Sequence, residues 1–355
     1  MNSDAHCYRE LLDLTQFNYH LPESSIAQEP LPDRAASRML VLLRDGQRWE
    51  DRMFREFPQF LRPGDCLALN DSKVFPSRLF GHRAGVHSLP VGKRNPKRWQ
   101  NLSGEVEVLL IEPASDDART WTALVHPGRK MRVGERIRFP EIEAEIIARG
   151  EYGERTVRFL DGGDIYQLLE RIGHVPLPPY IKRPDSPDDR ERYQTVFARQ
   201  TGSVAAPTAG LHFTPEILEA CRKAGSDIAY VTLHVGLGTF QPVRGESLHA
   251  ERFQVSEDNA AKIRNAARVI CAGTTAVRAV ESMFQGRTGQ TDLFIRPGFQ
   301  FQRTDAILTN FHLPQSSLLM LVCAFAGPEF VLSAYQHAVE SGYRFYSYGD
   351  CMLLL

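Results

Sequence analysis

Lysine is nearly missing from this sequence of 355 residues: its 42 basic side chains are 35 arginines and 7 lysines, set against 43 acids for a net charge of −1. That balance excludes a uniformly basic nucleic-acid coat. The arginine excess fits either the base composition of the gene or a use for the planar guanidinium, which grips carboxylate and phosphate. No C-x-x-C pair occurs among the six cysteines, Cys7, Cys66, Cys221, Cys271, Cys323 and Cys351, and most sit in apolar runs. They read as buried free thiols in a reducing compartment, which excludes a disulfide scaffold. The longest apolar run, Leu318 to Ala326, is far short of the ~20 residues that span a bilayer, and the first residues lack a basic stretch followed by an apolar one. A soluble cytoplasmic protein with no membrane partner is expected. Neither H-x-H nor H-E-x-x-H occurs, and Gly236-Leu-Gly238 lacks the third glycine of a dinucleotide fingerprint.

What is present suffices for more than one core: 43% of the residues are hydrophobic and 24% charged. At ~150 residues per domain the length suggests about two domains. A strand candidate, Arg38–Leu43, precedes a series of short β-rich runs beginning at Cys66–Leu69 and Ser77–Phe80. The series continues with Val106–Ile111, Trp121–Val125, Arg136–Phe139, Ala144–Ala148 and Thr156–Phe159. Turn signals such as Pro63-Gly-Asp and Pro127-Gly separate the runs, and no helix intervenes, so a small antiparallel barrel is expected. After Asp161-Gly-Gly the pattern alternates strand with helix. Thr214-Pro opens a helix that Gly225 ends, Ser256 opens a second, Thr274-Thr275 cap a third, and the strands Ile228–Leu233 and Val269–Ala272 lie between them. Such alternation predicts an α/β layered domain, with the first strand in the same sheet and the barrel inserted. The expected division is residues 1–61 and 163–355 for the layered domain and 62–162 for the barrel.

Charge is unevenly spread. From Ser72 to Gly104 the chain carries Lys73, Arg78, Arg83, Lys93, Arg94, Lys97 and Arg98 without an acid, a +7 stretch that leaves −8 elsewhere. Trp99 and His82 are interleaved with these charges, a mixture that suits looped or single-stranded RNA. Asp65, Asn70, Asp71 and Lys73 fall around the first expected barrel strands. Lys182-Arg183 follow the stiff Pro176-Leu-Pro-Pro-Tyr180. Three histidines, His212, His234 and His312, come just after or at the end of apolar runs. If those runs are strands of one sheet, their carboxyl ends converge on one crevice, where imidazoles can move protons. Each ring could equally cap a strand, and three histidines can also hold zinc. The run Gly202–Thr214 is small-residued, with hydroxyls at Ser203 and Thr208, and would admit a ligand close to backbone or pack a tight turn. Ala272-Gly-Thr-Thr-Ala-Val-Arg278 places glycine and exposed amides at a helix N-terminus, where an anion is favoured.

These segments also carry a resemblance. Phe17-Asn-Tyr-His-Leu-Pro-Glu, Asn70-Asp-Ser-Lys-Val, Pro176–Ile181, Tyr193-Gln-Thr-Val-Phe, Gly202–Thr214, Val231–Val243, Gly273–Arg278, Thr309–Pro314 and Arg344–Asp350 are, in order, similar to blocks of the S-adenosylmethionine:tRNA ribosyltransferase-isomerases of queuosine biosynthesis. The resemblance implies an α/β/α sandwich with an inserted small antiparallel β-barrel. It implies that the ribosyl part of S-adenosylmethionine is transferred to 7-aminomethyl-7-deazaguanine at the wobble position of tRNA and isomerised, giving epoxyqueuosine-tRNA with release of adenine and methionine. S-adenosylmethionine is then a substrate that is consumed; no cofactor and no metal are expected, and a monomer is. In two places the chain departs from the family: Glu246-Ser-Leu-His249-Ala-Glu251 lacks the first histidine of the His-x-Met-His-x-Glu block, and the segment 84–103 is longer than expected.

With that reaction in view, His212 and His234 are expected to transfer protons, with His312 and Asn310 orienting. Ser203 and Thr208 would hold ribose, while Gly273, Thr274 and Thr275, helped by Arg278, would receive the methionine carboxylate. Lys73, Arg94, Lys97, Arg98, Lys182 and Arg183 are the expected tRNA contacts. Two rival classes are a metal-dependent hydrolase built on the three histidines and a non-catalytic RNA-binding module.

Overall fold

Asp65–Asn70 is a run of six residues all buried from solvent, the mark of a strand covered on both faces. It is the centre of the structure, a computed structural model that describes residues 14–84, 104–150, 153–160, 163–236 and 248–355. In chain order the strands are β1 (Arg38–Leu43), β2 (Arg48–Met53), β3 (Asp65–Asn70), β4 (Ser72–Val74), β5 (Arg78–Arg83), β6 (Glu105–Pro113), β7 (Thr120–His126), β8 (Arg136–Arg138), β9 (Glu143–Arg149) and β10 (Glu154–Phe159). They continue as β11 (Gln200–Ser203), β12 (Asp227–Leu233), β13 (Glu251–Gln254), β14 (Arg268–Ala272), β15 (Gln290–Thr291), β16 (Ala306–Asn310) and β17 (Cys351–Leu354). The helices are α1 (Ile165–Ile172), α2 (Asp189–Arg192), α3 (Pro215–Lys223), α4 (Glu257–Asn265), α5 (Thr274–Phe284), α6 (Ser317–Ala326) and α7 (Pro328–Glu340).

Nine strands form one sheet in the order β15-β13-β12-β3-β14-β16-β17-β1-β2. Its middle is parallel: β3 pairs with β12 (Cys66 opposite Asp227) and with β14 (Cys66 opposite Val269), and β14 pairs with β16. Alternate residues of each strand face opposite sides. From β3 and β12, Cys66, Ala68, Ala229 and Val231 join a core with α4 to α7, whereas Leu67, Leu69 and Ile228 meet α3 and the 3-10 helix Phe54–Phe60 on the other face. Helices therefore cover both faces. Six strands, β10-β7-β6-β5-β8-β9, close into a separate antiparallel barrel. Its strands alternate as expected, with Trp121, Ala123 and Val125 of β7 inside and Thr122 and Leu124 less buried. The fold is mixed α/β with an inserted barrel, as the sequence pattern predicts.

Pairing, packing and backbone geometry correct three local expectations. β3 is the hub of the large sheet and not the first barrel strand, because its partners β12 and β14 lie more than 150 residues further along the chain. Asp65, Asn70 and Asp71 move with it. At the other edge, Ile165, Leu168 and Leu169 of α1 share the barrel's core, although the chain from 163 onward was expected in the sandwich. The hub strand and the packing of α1 thus shift the insert from 62–162 towards the chain after β4 and through α1. The cap of α5 is Gly273 at φ +97°, which puts Thr274 in the first turn rather than ahead of it. Thr214 caps α3 as expected, accepting from the Ile217 N–H. The five cysteines among the described residues are free and buried.

Candidate active site

The carboxyl ends of β12, β3, β14 and β16 lie side by side and bring His234, Asn70-Asp71, Gly273 and Asn310 to the same edge of the sheet, where open α/β sheets usually bind their ligands in a crevice. Asn70 ties its floor together. Its amide donates to Leu233 O (3.0 Å) and Thr275 Oγ1 (3.1 Å), and its oxygen accepts from the N–H groups of Ser72 and Leu233. The small-residued run crosses above as β11 and a 3-10 turn, Thr208–His212, with Ala209 close against Gly273.

His212 and Asn310 meet. Asn310 Nδ2 donates to Tyr346 O at 2.9 Å, so its Oδ1 faces His212 Nε2 at 3.2 Å and must accept; Nδ1, 2.9 Å from Ser37 Oγ, then accepts the serine proton. The ring is buried against Phe54, and burial lowers its pKa from 6.5 to about 4. Tyr346, whose carbonyl anchors this chain of bonds, sits in the left-handed region at φ +69°, a conformation that costs a residue with a side chain about 1–3 kcal/mol. Such strain is typical of sites where surrounding contacts over-determine the backbone.

His312 belongs to a neighbouring cluster. Its Nε2 lies 2.8 Å from Thr309 Oγ1, its N–H donates to the Tyr335 hydroxyl and its carbonyl accepts from the Tyr19 hydroxyl. Burial takes its pKa to about 3. Beside it opens a cleft of about 550 Å³ walled by Asn18, Tyr19, His20, Pro314 and Tyr346.

His234 is different in kind. Its Nδ1 is buried without a hydrogen-bond partner, and its ring lies against Gly202, so close that a Cβ there would stand 3.0 Å from Cε1 and Nδ1. Burial, assisted by the Arg252 charge, lowers its pKa to about 4. All three imidazoles are thus neutral near pH 7. Among the described residues they make no hydrogen bond to one another.

Several expected binding residues are committed elsewhere. Ser203 is fully buried; its hydroxyl donates to Ala205 O and accepts from the Val235 N–H, both at 2.9 Å, and so ties β11 to the end of β12 instead of facing a ligand. Arg278 turns away from the α5 N-terminus into a buried ion pair with Glu251, and its Nε donates to Leu293 O at 3.0 Å. It is not available to a carboxylate. Thr208 stays half-buried beside the turn, and Gly273 donates to Leu308 O. Among the expected RNA contacts, Arg183 is held by both oxygens of Asp189 (2.7 and 2.9 Å) and by Glu29, and Lys182 pairs with Glu23. Lys73 is exposed. Arg94, Lys97, Arg98 and Glu246 lie outside the described residues.

A sequence model described as queuosine biosynthesis protein matches residues 14–354 of this chain. The chain belongs to the queuosine biosynthesis family. It is 65% identical to the S-adenosylmethionine:tRNA ribosyltransferase-isomerase of Solibacter usitatus strain Ellin6076, over 97% of this chain and all of that protein. The like-named protein of Syntrophotalea carbinolica is 45% identical over 96% of this chain and 99% of its own length. In the crystal structure of the S-adenosylmethionine tRNA ribosyltransferase from Thermotoga maritima the same fold recurs, at 37% identity and a TM-score of 0.53, covering 96% of this chain and all of that one. Like these queuosine biosynthesis proteins, the chain is an enzyme of the transferase-isomerase class.

Within this family fold the crevice also contains two residues that sequence reasoning passed over. Asp71, expected around the first barrel strands and given no role there, is buried at the end of β3 and accepts a 2.6 Å hydrogen bond from the Thr232 hydroxyl. The signal available was its place directly after the apolar run Cys66–Leu69. Glu251, the retained acid of the family block, holds both Arg278 and the Gly236 N–H (3.0 Å), joining β13 and α5 to the segment that leaves β12.

Proposed function

We propose that the enzyme transfers the ribosyl part of S-adenosylmethionine to 7-aminomethyl-7-deazaguanine at the wobble position of tRNA and isomerises it, giving epoxyqueuosine-tRNA, adenine and methionine. The observation that carries the chemistry is His234: a neutral imidazole with an unpartnered, buried Nδ1 in the crevice of a chain whose relatives are named S-adenosylmethionine:tRNA ribosyltransferase-isomerase. The sulfonium acidifies the neighbouring C5′ protons, so a neutral imidazole can take one without a metal. The resulting imidazolium is a strong acid for the same reason that the ring is neutral at rest, and it can protonate adenine as that base leaves. The amine of the deazaguanine then bonds to the sugar fragment, and closure to the epoxycyclopentanediol expels methionine as a neutral thioether. His212, with both nitrogens engaged, serves as a positioning residue through Asn310, and His312 positions the same strand end through Thr309.

The first-turn amides of α5 at Thr274 and Thr275, next to Gly273, suit the methionine carboxylate, since a helix N-terminus carries partial positive charge. Thr208 is the hydroxyl left for ribose. S-adenosylmethionine is consumed and no returning cofactor takes part; the enzyme works as a cytoplasmic monomer, with Lys73 and the basic segment around Arg94, Lys97 and Arg98 on the tRNA. The test incubates the protein with S-adenosylmethionine and tRNA carrying the aminomethyl base and follows adenine by chromatography. Adenine release that depends on that tRNA is expected. Intact S-adenosylmethionine alongside tight RNA binding would leave an RNA-binding module instead.

A further inference from the structure

Seven acidic side chains are buried among the described residues, and six have their charge answered. Asp65 pairs with Arg268, Glu135 with Arg83, Asp189 with Arg183 and Glu251 with Arg278. Glu281 accepts from the N–H groups of Gln302, Arg303 and Thr304 and from the Thr304 hydroxyl, and Asp350 accepts from the N–H groups of Arg38 and Arg344. Asp71 is the exception. Though only 5% exposed, its carboxyl receives one neutral donor, the Thr232 hydroxyl, and no cation lies within ion-pair distance among the described residues. Arg199, whose N–H donates to the Asp71 carbonyl at 2.8 Å, keeps its guanidinium over the Tyr230 ring, 4.4 Å from the centroid.

An isolated buried carboxylate is costly, and a partner of opposite charge relieves that cost. Asp71 stands at the carboxyl end of the hub strand, on the sheet face that it shares with Tyr230 and Thr232 of β12 and with His234 just beyond that strand. We infer that Asp71 is the counter-charge for the sulfonium of the nucleoside substrate, and that it sets the preference of the crevice for the cationic sulfonium over the neutral thioether of the same shape. The inference rests on the proposed function and names a residue that this reading leaves without a role. Burial raises the carboxyl pKa although the Thr232 hydroxyl and the more distant Arg199 charge both act to lower it, so its desolvation is not offset by a positive charge in contact. A bound sulfonium would supply that charge in a setting where little water screens it.

The experiment measures equilibrium binding of S-adenosylmethionine and of S-adenosylhomocysteine, its neutral thioether counterpart, to the full chain with saturating tRNA that carries ordinary guanine, so that nothing turns over. The wild type is expected to bind the sulfonium at least tenfold tighter. Asp71→Asn should weaken sulfonium binding about tenfold and change thioether binding less than threefold, while Asp71→Glu keeps most of the preference. A wild type that binds both compounds equally overturns the inference without recourse to any variant. Equal weakening of both compounds in Asp71→Asn overturns it too, as does unchanged binding with adenine release abolished, which would make Asp71 a proton-transfer group. Failure of the functional reading is a different result: no binding of either compound and no adenine from tRNA bearing the aminomethyl base.

Discussion

His212 and His234 carry the same side chain at the same crevice, and their hydrogen bonds separate their tasks. Removing His212 strands the Asn310 oxygen in a buried space, at about 1–3 kcal/mol, and leaves the Ser37 hydroxyl only a long 3.5 Å contact to Arg34 O. Removing His234 strands nothing, because its Nδ1 has no partner. His234→Gln should therefore keep stability within about 1 kcal/mol of wild type while adenine release falls by about a hundredfold or more, the usual worth of a positioned proton-transfer group. His212→Ala should lower the urea midpoint clearly as well as the rate. A His234 variant with full turnover would move the proton transfer to another residue. The same burial makes stability depend on pH. The folded pKa values lie below 6.5, at about 4 for His212 and His234 and about 3 for His312, so the unfolded chain binds more protons across that interval. The contribution is complete above about pH 6.5 and is lost as pH falls towards 4 and then 3. Asp71 and Asp350, raised by burial, act with the opposite sign. Urea midpoints should fall from pH 7.5 to pH 5, and a flat profile would show that the histidines are not shielded as described.

Two element contacts hold this crevice in shape, and each predicts a phenotype. Gly202 in β11 has φ +143°, and His234 from the end of β12 lies against its Cα. Gly202→Ala would add backbone strain of about 1–3 kcal/mol and push the imidazole aside, so activity should fall further than the shift in melting temperature alone explains. Normal activity with normal stability would mean that the ring position is not critical. The Arg278–Glu251 pair fastens α5 to β13. Glu251→Gln leaves a buried guanidinium without its anion, at about 3–5 kcal/mol, and Arg278→Met with Glu251→Leu should recover part of that loss in a double-mutant cycle. At this scale the sequence was readable wherever a pattern is local. Alternation in Trp121–Val125, the Thr214-Pro cap and the strand-glycine-helix step at Ala272–Thr274 all appear where expected. β3 was misplaced because the four-residue apolar run Cys66–Leu69 looks the same whether it opens a barrel or centres a sheet, and only its distant partners decide. The same blindness hid Asp71, whose burial comes from β12, and left Arg278 looking free when its partner lies 27 residues earlier.

Across the whole molecule the near-neutral sum of charges conceals a division of labour. The Ser72–Gly104 stretch carries +7 in sequence, but Arg78 is paired with Glu107 at 3.0 Å and Arg83 with Glu135 in a buried bridge at 3.1 Å. Those two arginines fasten β5 within the barrel and have little charge left for a partner. Lys73 is exposed near the crevice, and the remaining four positive charges, Lys93, Arg94, Lys97 and Arg98, lie in the segment outside the described residues. If that segment meets RNA, each phosphate it neutralises releases counterions and adds about 0.7 to 0.9 to the slope of log affinity against log salt. Changing Arg94, Lys97 and Arg98 together to alanine should then lower the slope by about 2 and weaken tRNA binding most at low salt. Lys182→Ala, which removes a side chain already paired with Glu23, should leave the slope unchanged and serves as the control. Binding titrations of the full chain from about 50 to 200 mM salt make the comparison. Equal slopes in the triple variant and the wild type would make the basic segment a solvated loop and put the tRNA contact elsewhere on the surface.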